Sequence, residues 1–466
     1  MMLRLFKQYY PIRNIFFIFG EFIMIYGSVL LAARIMPLPD SSELTMWVCL
    51  KALLIAIICQ ICLFYNDLYD LTVIDSFSEL GIRLLQALGA ASIFLALIYL
   101  VLPTAIIGKG IFAVSVVFAL FLVVFWRFCY TLMLNRGMLD QKIILLGCSE
   151  LGVNIIYEIE AKKDCGYKVG AVVRGRHRDM ESHQAIPPGL MVKDDYDGLS
   201  ELAKELGIQK IVVALQERRG SFPTRELLKC RVNGIEVIEG NSFYEMLTGK
   251  LIVEQINPTW LIFSDGFKKS WGRRTFKRIT DILFSLTLLI PCLPVILIVT
   301  LLIKIDSRGP VFFSQERIGR NRKPYMVHKF RSMVADAEKL SGPVWAQSED
   351  DRVTRVGRFI RKWRIDELPQ LWNVLVGEMS FVGPRPEREF FIKKLEDSIP
   401  YYGERFSVKP GVTGWAQVSY GYGASIEDAI EKLNYDLFYI KNMSVFMDIM
   451  IVLKTIKTVL FGKGAR

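Results

Sequence analysis

Four apolar runs, residues 14–35, 46–65, 84–103 and 106–126, decide what the first third of this chain can be. Each holds about twenty residues, enough at about 1.5 Å per residue to cross a hydrocarbon core about 30 Å thick. They predict four membrane-spanning helices within residues 1–135. The composition agrees, since a hydrophobic share of 52% and a mean hydropathy of +0.32 are rare in soluble proteins. Arg4, Lys7 and Arg13 precede the first run, and Arg127 and Arg136 follow the fourth, so both flanks read as cytoplasmic. The acidic 66–80 loop adds nothing to that rule. No signal-peptide cleavage pattern opens the chain, and the first run is expected to stay as an anchor.

A length of 466 residues implies about three domains. The net charge of +11 points to anionic lipid headgroups or an anionic substrate. Nucleic acid is not expected as a partner, because no recognised binding motif accompanies the charge. The eight cysteines form no disulfide framework, and Cys59 and Cys62 make a CxxC inside an apolar run, where cysteine acts as a small apolar residue. Only His177, His183 and His328 are present, too few for a histidine-rich metal site.

Residues 140–265 alternate strand-like and helix-like runs. "KIILLG", "YKVGAVV", "QKIVVAL" and "GIEVIEG" read as strands of a parallel sheet, and "SELGVNIIYEIEA" opens a helix. The first turn, Gly147-Cys-Ser149-Glu-Leu-Gly152, resembles GxGxxG with serine in the middle glycine position. A side chain there hinders a pyrophosphate, so a turn without a bound dinucleotide is favoured, with a regulatory nucleotide or an assembly role left open.

Basic residues from Lys268 to Arg278 lead into a fifth apolar run, Ile282 to Ile303, closed by Lys304 and Arg308. Pro291 and Pro294 sit mid-run, where proline kinks or breaks a helix. Basic residues on both flanks favour leaving both ends on one face. A re-entrant helix over about 277–305 is expected, a kinked true span being the other reading.

The polar constellation falls within residues 271–466. "GPVFFSQERIGRNRKPYMVHKFRSM" reads as two strands joined near Asn321, carrying Arg317, Lys329 and Arg331. Arg352, Arg355, Arg358, Arg361 and Arg364 recur at every third residue and predict a broad basic helix face, for headgroups or for phosphates. "DELPQLWNVLVG" predicts a short helix with Leu368, Leu371, Trp372 and Leu375 on one face, Asp366 as N-cap and Gly377 as stop. Its company gives the Asp366–Glu367 pair a chemical reading. A carboxylate at a helix N-terminus can attack phosphorus if a metal offsets the charge, and Mg²⁺ takes one or two carboxylates plus substrate phosphates. Arg385, fixed between two prolines in Gly-Pro-Arg-Pro, is a donor to a phosphate oxygen. Together with the membrane helix, this suggests phosphoryl-group transfer to or from a lipid.

The stretches "FKRITD", "IKIDSRGPVFFSQERIGRN", "KFRSM", "RIDELPQLWNVLVGEMSFVGPRPE" and "VKPGVTGWAQV" resemble the monotopic phosphoglycosyl transferases, the bacterial sugar transferases or polyprenyl glycosylphosphotransferases. The upstream regions, with "NPTWLIFSDGF" (257–267) as linker, resemble the large, exopolysaccharide-initiating form. The resemblance implies three parts. These are a membrane α-helical N-terminal bundle, a Rossmann-like α/β domain and an α+β monotopic catalytic domain with a re-entrant membrane helix.

By the same resemblance Asp366 is the nucleophile on the sugar-bearing phosphate of a UDP-sugar, Glu367 ligates Mg²⁺, and Arg385 binds phosphate. Lys329, Arg331 and Arg405 fall in matching basic motifs, and Asp448 could contribute to the site. UMP leaves, and undecaprenyl phosphate takes the phosphosugar from the enzyme. The implied location is the bacterial inner membrane, multi-pass, with the catalytic domain on the cytoplasmic face among membrane lipids. A homodimer is left open. Two departures stand out: Leu293-Pro294 replaces a Ser-Pro pair, and Asn321-Arg322 replaces Asn-Gly, which weakens the case for a type I′ turn. The C-terminal "FMDIMIVLKTIKTVLFGKG" is amphipathic and is expected either on the membrane surface or packed on the catalytic domain.

Two other functions fit parts of the sequence. A membrane-anchored sugar-nucleotide dehydratase needs an intact glycine motif and a Tyr-x-x-x-Lys pair, and the only such pair, Tyr325 with Lys329, lies outside the α/β domain. A non-catalytic component of a polysaccharide export system would tolerate loss of Asp366.

Overall fold

The computed structural model describes residues 2–5, 8–36, 46–69, 77–108, 110–138, 140–162, 165–174, 189–215, 222–255, 270–334, 352–421, 423 and 425–460. The expected linker at 257–267, Lys268, Lys269, His177 and His183 lie outside them. The chain divides into two compact units, with the main boundary along the sequence after Gly240.

After two short strands, Met2–Leu5 and Gln8–Pro11, come helices α1 (Ile12–Ile35), α2 (Met46–Tyr65), α3 (Phe77–Val101) and α4 (Ile111–Asn135). All four are long and apolar enough to cross a membrane. Their contacts use small residues, with Ala32, Ala33, Ala52, Ala56, Ala87 and Ala91 buried, which lets helix backbones approach closely. Cys59 and Cys62 are buried among them as free thiols, as their apolar context implied. Arg127, read as a flanking cation, instead lies inside α4. It is buried against Glu21 at 2.7 Å and donates to the Leu68 carbonyl at 2.9 Å. A charge in an apolar helix is tolerated when it is paired in this way.

A five-stranded parallel sheet follows: β1 (Gln141–Leu146), β2 (Tyr167–Val173), β3 (Met191–Lys193), β4 (Lys210–Val213) and β5 (Glu236–Glu239). Its spatial order is β3-β2-β1-β4-β5, the doubly wound order with a switch point between β1 and β4. At that point Gly147 has φ 102°, and a Cβ on it would stand 2.6 Å from the Ala214 carbonyl oxygen. Helix α5 (Glu150–Ala161) starts here with Ser149 as N-cap. The Ser149 hydroxyl accepts from the Gly152 amide at 3.3 Å and donates to the Ala214 carbonyl at 2.6 Å. Helices α6 (Leu199–Glu205) and α7 (Thr224–Val232) complete the layer.

The second unit begins within α8 (Gly240–Thr248), where Glu245 accepts from Lys441 and Asn442 at 2.6 and 2.8 Å. Helix α9 runs from Trp271 to Asp306 with Pro291 and Pro294 inside it, so neither proline ends the helix. Both its ends dock on this same unit. Near the start, Lys277 pairs with Asp281 and Asp448 at 2.9 Å each, and Asp281 accepts from Ser380 Oγ and the Phe381 amide. Near the finish, Val299 and Ile303 are buried with Phe330 and Ile360. Between them, residues 286–298 carry no charge and are largely exposed.

A hairpin of β6 (Phe312–Ile318) and β7 (Pro324–Phe330) turns at Asn321 and Arg322, with φ 55° and 60°. Positive φ at both central residues is the type I′ signature, so that turn forms without the glycine. Arg322 is secured by an ion pair with Glu396 and by stacking 5.4 Å from the Phe406 ring. Helices α10 (Arg355–Lys362), α11 (Gln370–Val376), α12 (Glu389–Ser398), α13 (Trp415–Ser419), α14 (Ile426–Asn442) and α15 (Val445–Leu460) surround a short parallel pair, β8 (Ser380–Val382) and β9 (Gly411–Thr413). In α15, Met447, Asp448 and Ile451 are buried, so this helix packs on the unit along one face.

Candidate active site

The dyad lies in a turn between two short helices. Thr354 caps α10 by accepting from the Gly357 amide at 3.0 Å. The expected run of arginines along one helix breaks here: only Arg355–Lys362 is helical, and Arg364 turns out of it with φ 57°. That left-handed arginine starts a 3-10 turn, Ile365–Glu367, and α11 begins only after Pro369. Asp366 therefore does not cap α11, and the residue at that position, Pro369, offers no side-chain bond. Gly377 ends α11 in the left-handed conformation, as expected.

Two cations converge on one buried oxygen. Glu367 Oε1 accepts from Lys329 Nζ at 2.9 Å and from Arg385 Nη2 at 2.8 Å. Burial alone would raise the Glu367 pKa, but Arg385 and Lys329 outweigh it and hold the carboxyl well below the usual range. Asp366 is only partly buried. Burial first, then the charge of Glu367, pushes its carboxyl up to about 6, against the pull of Lys329, Arg361 and Arg364. Two adjacent carboxylates thus sit in opposite states of readiness, one locked as an anion and one poised near neutrality.

The Gly383–Pro386 loop is held at its backbone. Gly383 donates to Thr413 O at 2.8 Å and Gly411 to Pro384 O at 2.9 Å. Arg405 donates to the Arg385 carbonyl at 3.0 Å, and Arg317 to the Pro386 carbonyl at 3.3 Å. Arg405 is buried against Asp436 at 2.9 Å, where burial raises the Asp436 carboxyl to about 6 despite Arg405. Arg405 thus supports the loop. Arg331 is directed elsewhere: it donates to Ser307 O and Arg308 O at 2.7 and 3.0 Å, closing the C-terminal end of α9. Asp448 belongs to the Lys277 cluster under β8, where it accepts from Tyr439 at 2.9 Å.

Of the named residues, Asp366, Glu367, Lys329 and Arg385 come together. Sequence reading missed Asp436, whose signal is a lone acid within the otherwise buried stretch Leu433–Ile440. It also missed Asn373, which ties α11 to β7 by accepting from the His328 amide at 3.2 Å and donating to Met326 O at 2.7 Å. Tyr325 and Lys329 lie on strand β7, where residues four apart are separated by about 13 Å. That is no arrangement for a paired Tyr-Lys acid–base site.

A carboxylate and its acidic neighbour, with cations held beside them, form a site suited to phosphoryl chemistry. The chain belongs to the bacterial sugar transferase family, which matches residues 272–462. Residues 65–238 match a family described as a CoA-binding domain. A UDP-N-acetylgalactosamine-undecaprenyl-phosphate N-acetylgalactosaminephosphotransferase of Aeromonas hydrophila is 42% identical over 242 residues, 52% of this chain and 56% of that protein. An undecaprenyl-phosphate galactose phosphotransferase of Salmonella typhimurium is 30% identical over 365 residues, 75% of this chain and 74% of that protein. An exopolysaccharide production protein of Rhizobium leguminosarum is 42% identical over 194 residues, 40% of this chain and 97% of that protein. The match to the Aeromonas protein thus spans little more than half its length.

Proposed function

We propose that this protein transfers a sugar 1-phosphate from a UDP-sugar to undecaprenyl phosphate, releasing UMP and forming undecaprenyl-diphosphate sugar. The observation that carries this reading is the division of labour in the dyad. Glu367 takes both cations, while Asp366 stays partly exposed and outside the cap of α11. An Asp366 carboxylate oxygen attacks the sugar-bearing phosphorus. The new O–P bond forms as the bond to the bridging oxygen breaks, and that oxygen leaves with UMP. A phosphate oxygen of the lipid acceptor then attacks the same phosphorus, and the Asp366 carboxylate departs. Lys329 and Arg385 offset the charge of the diphosphate, with Arg385 steadied by Arg405.

We assign Mg²⁺ to Glu367 with Asp366 beside it, which requires Lys329 and Arg385 to turn from Glu367 Oε1 to the substrate phosphates. Among the described residues no group of three or more His, Cys, Asp or Glu converges, so an all-protein cage does not form. Two adjacent carboxylates completed by substrate phosphates do fit the coordination Mg²⁺ favours. When bound, the ion lowers the repulsion between a carboxylate nucleophile and the diphosphate.

The reading takes α9 as re-entrant. Docking of both ends on one folded unit, with the uncharged middle exposed around Pro291 and Pro294, supports entry and return through a single leaflet. The catalytic unit then stays on the cytoplasmic face of the inner membrane, beside nucleotide sugars. Single cysteines at Ser270 and Ser307, in a cysteine-free variant, should label from the same side of the membrane. Labelling from opposite sides would reject the hairpin.

The reaction is tested by UMP release in nanodiscs with Mg²⁺, using UDP-glucose, UDP-galactose and UDP-N-acetylgalactosamine, each with and without undecaprenyl phosphate. Release from one donor that needs the lipid and vanishes in Asp366→Asn is the expected result. Undiminished release by Asp366→Asn would overturn the mechanism.

A further inference from the structure

A cluster of cations lies at the far end of α11 from the dyad. A Cβ placed on Gly377 would stand 3.4 Å from Arg278 Nη2 and 3.5 Å from Lys409 Nζ. The two cations are therefore within about 7 Å of each other, a repulsive spacing without an anion. Arg278 is oriented by donating to the Val374 and Leu375 carbonyls at the end of α11. Lys409 forms no ion pair among the described residues. Burial first, then the charges of Arg278 and Arg320, depress its pKa, with Asp281 opposing. Asp281 itself is taken up by Lys277, Ser380 and the Phe381 amide. Arg320 adds a buried Nε without a hydrogen-bond partner.

Exposed apolar side chains lie on the same helix. Trp372 and Val376, one turn apart on α11, are 61% and 58% exposed. Arg278 precedes the uncharged run of α9, which begins at Ile282, by about 6 Å of helix. That is within the depth of the headgroup layer, about 5–8 Å on each side of the hydrocarbon core. An anion with an apolar tail satisfies both halves of the site.

We propose that Arg278, Arg320 and Lys409 bind the headgroup phosphate of an anionic phospholipid, whose acyl chains lie against Trp372 and Val376. Asp366 and Gly377 flank opposite ends of α11, on the order of 15 Å apart, so a phosphate held here is not the one that reacts. The proposal rests on reading α9 as a membrane helix. It does not require the phosphotransfer mechanism.

The test uses the full chain in phosphatidylcholine nanodiscs doped with spin-labelled phosphatidylglycerol, reading the motionally restricted fraction. Wild type should retain phosphatidylglycerol over phosphatidylcholine. Lys409→Gln should lower that retention about fivefold, and Lys409→Arg should restore it. The KM for the UDP-sugar should not change. Unchanged retention in folded Lys409→Gln would overturn the proposal. So would displacement of the label by millimolar inorganic phosphate, which marks a free-phosphate site. A raised KM for undecaprenyl phosphate with intact phosphatidylglycerol retention would give the cluster to the acceptor and overturn it as well. Asp366→Asn should lose UMP release and keep lipid retention, which separates failure of this site from failure of the proposed reaction.

Discussion

Arg405 and Asp436 allow the stability and the activity of the site to be pulled apart. Both are buried, and Arg405 links the Asp436 carboxylate to the Arg385 carbonyl. Arg405→Met leaves Asp436 buried without its counter-charge, which costs about 3–5 kcal/mol. For a unit of this size that lowers Tm by about 6–20 °C. The pH dependence has a definite sign. The folded pKa of Asp436 is already raised to about 6, and loss of Arg405 raises it further. A group with a raised folded pKa contributes stability that is present at low pH and lost as pH rises through that value. The destabilisation should therefore be smaller at pH 5 than at pH 8. Arg405→Met/Asp436→Leu removes the stranded charge and should recover most of the Tm and flatten this pH dependence. UMP release should stay down about tenfold in both variants, because the Arg385 carbonyl has lost a donor worth about 1.4 kcal/mol. Thermal unfolding by fluorescence in detergent, paired with UMP release, reads both. Recovery of activity together with Tm in the double variant would refute a positioning role for Arg405.

Two further outcomes follow from the packing of the same unit. Lys277→Met strands Asp281 and Asp448 together and should lower Tm by about 6–20 °C, with Lys277→Met/Asp448→Leu recovering part of it in the same unfolding assay. Gly357→Ala drives a methyl to within 1.9 Å of the Ser332 carbonyl, so a loss above about 3 kcal/mol is expected, read as aggregation in size-exclusion chromatography.

What could be read from the residues alone follows from how local each signal is. Strands β1, β2 and β4 announce themselves as apolar runs buried in the sheet, while β5 offers only the half-buried Val237 and Ile238 between two glutamates. Strand β3 does not announce itself, because its three residues are mostly exposed and become a strand only by pairing with β2. The dyad was legible because of its company, Gly-Pro-Arg-Pro and the membrane helix, since on its own Asp366 reads as a helix cap. Its cation partners were only half legible. A basic motif looks the same whether its guanidinium meets a carboxylate, closes a helix or steadies a loop. Ser307 and Asp436, 24 and 31 residues away in sequence, make that choice for Arg331 and Arg405. The case for the type I′ turn looked weaker than it is because Glu396 and Phe406 stabilise a conformation that Arg322 would not adopt alone.

Helix α9, secured at both ends on one folded body, also has a mechanical meaning for the bilayer. On the re-entrant reading its volume is added to one leaflet and not to the other. It acts as a wedge, spreading headgroups on the side that carries the folded unit. Lateral pressure and spontaneous curvature then bear directly on the packing of Lys277 and Ile303 at the two ends of the wedge. Lipids that relieve that stress should set how firmly the catalytic unit is seated.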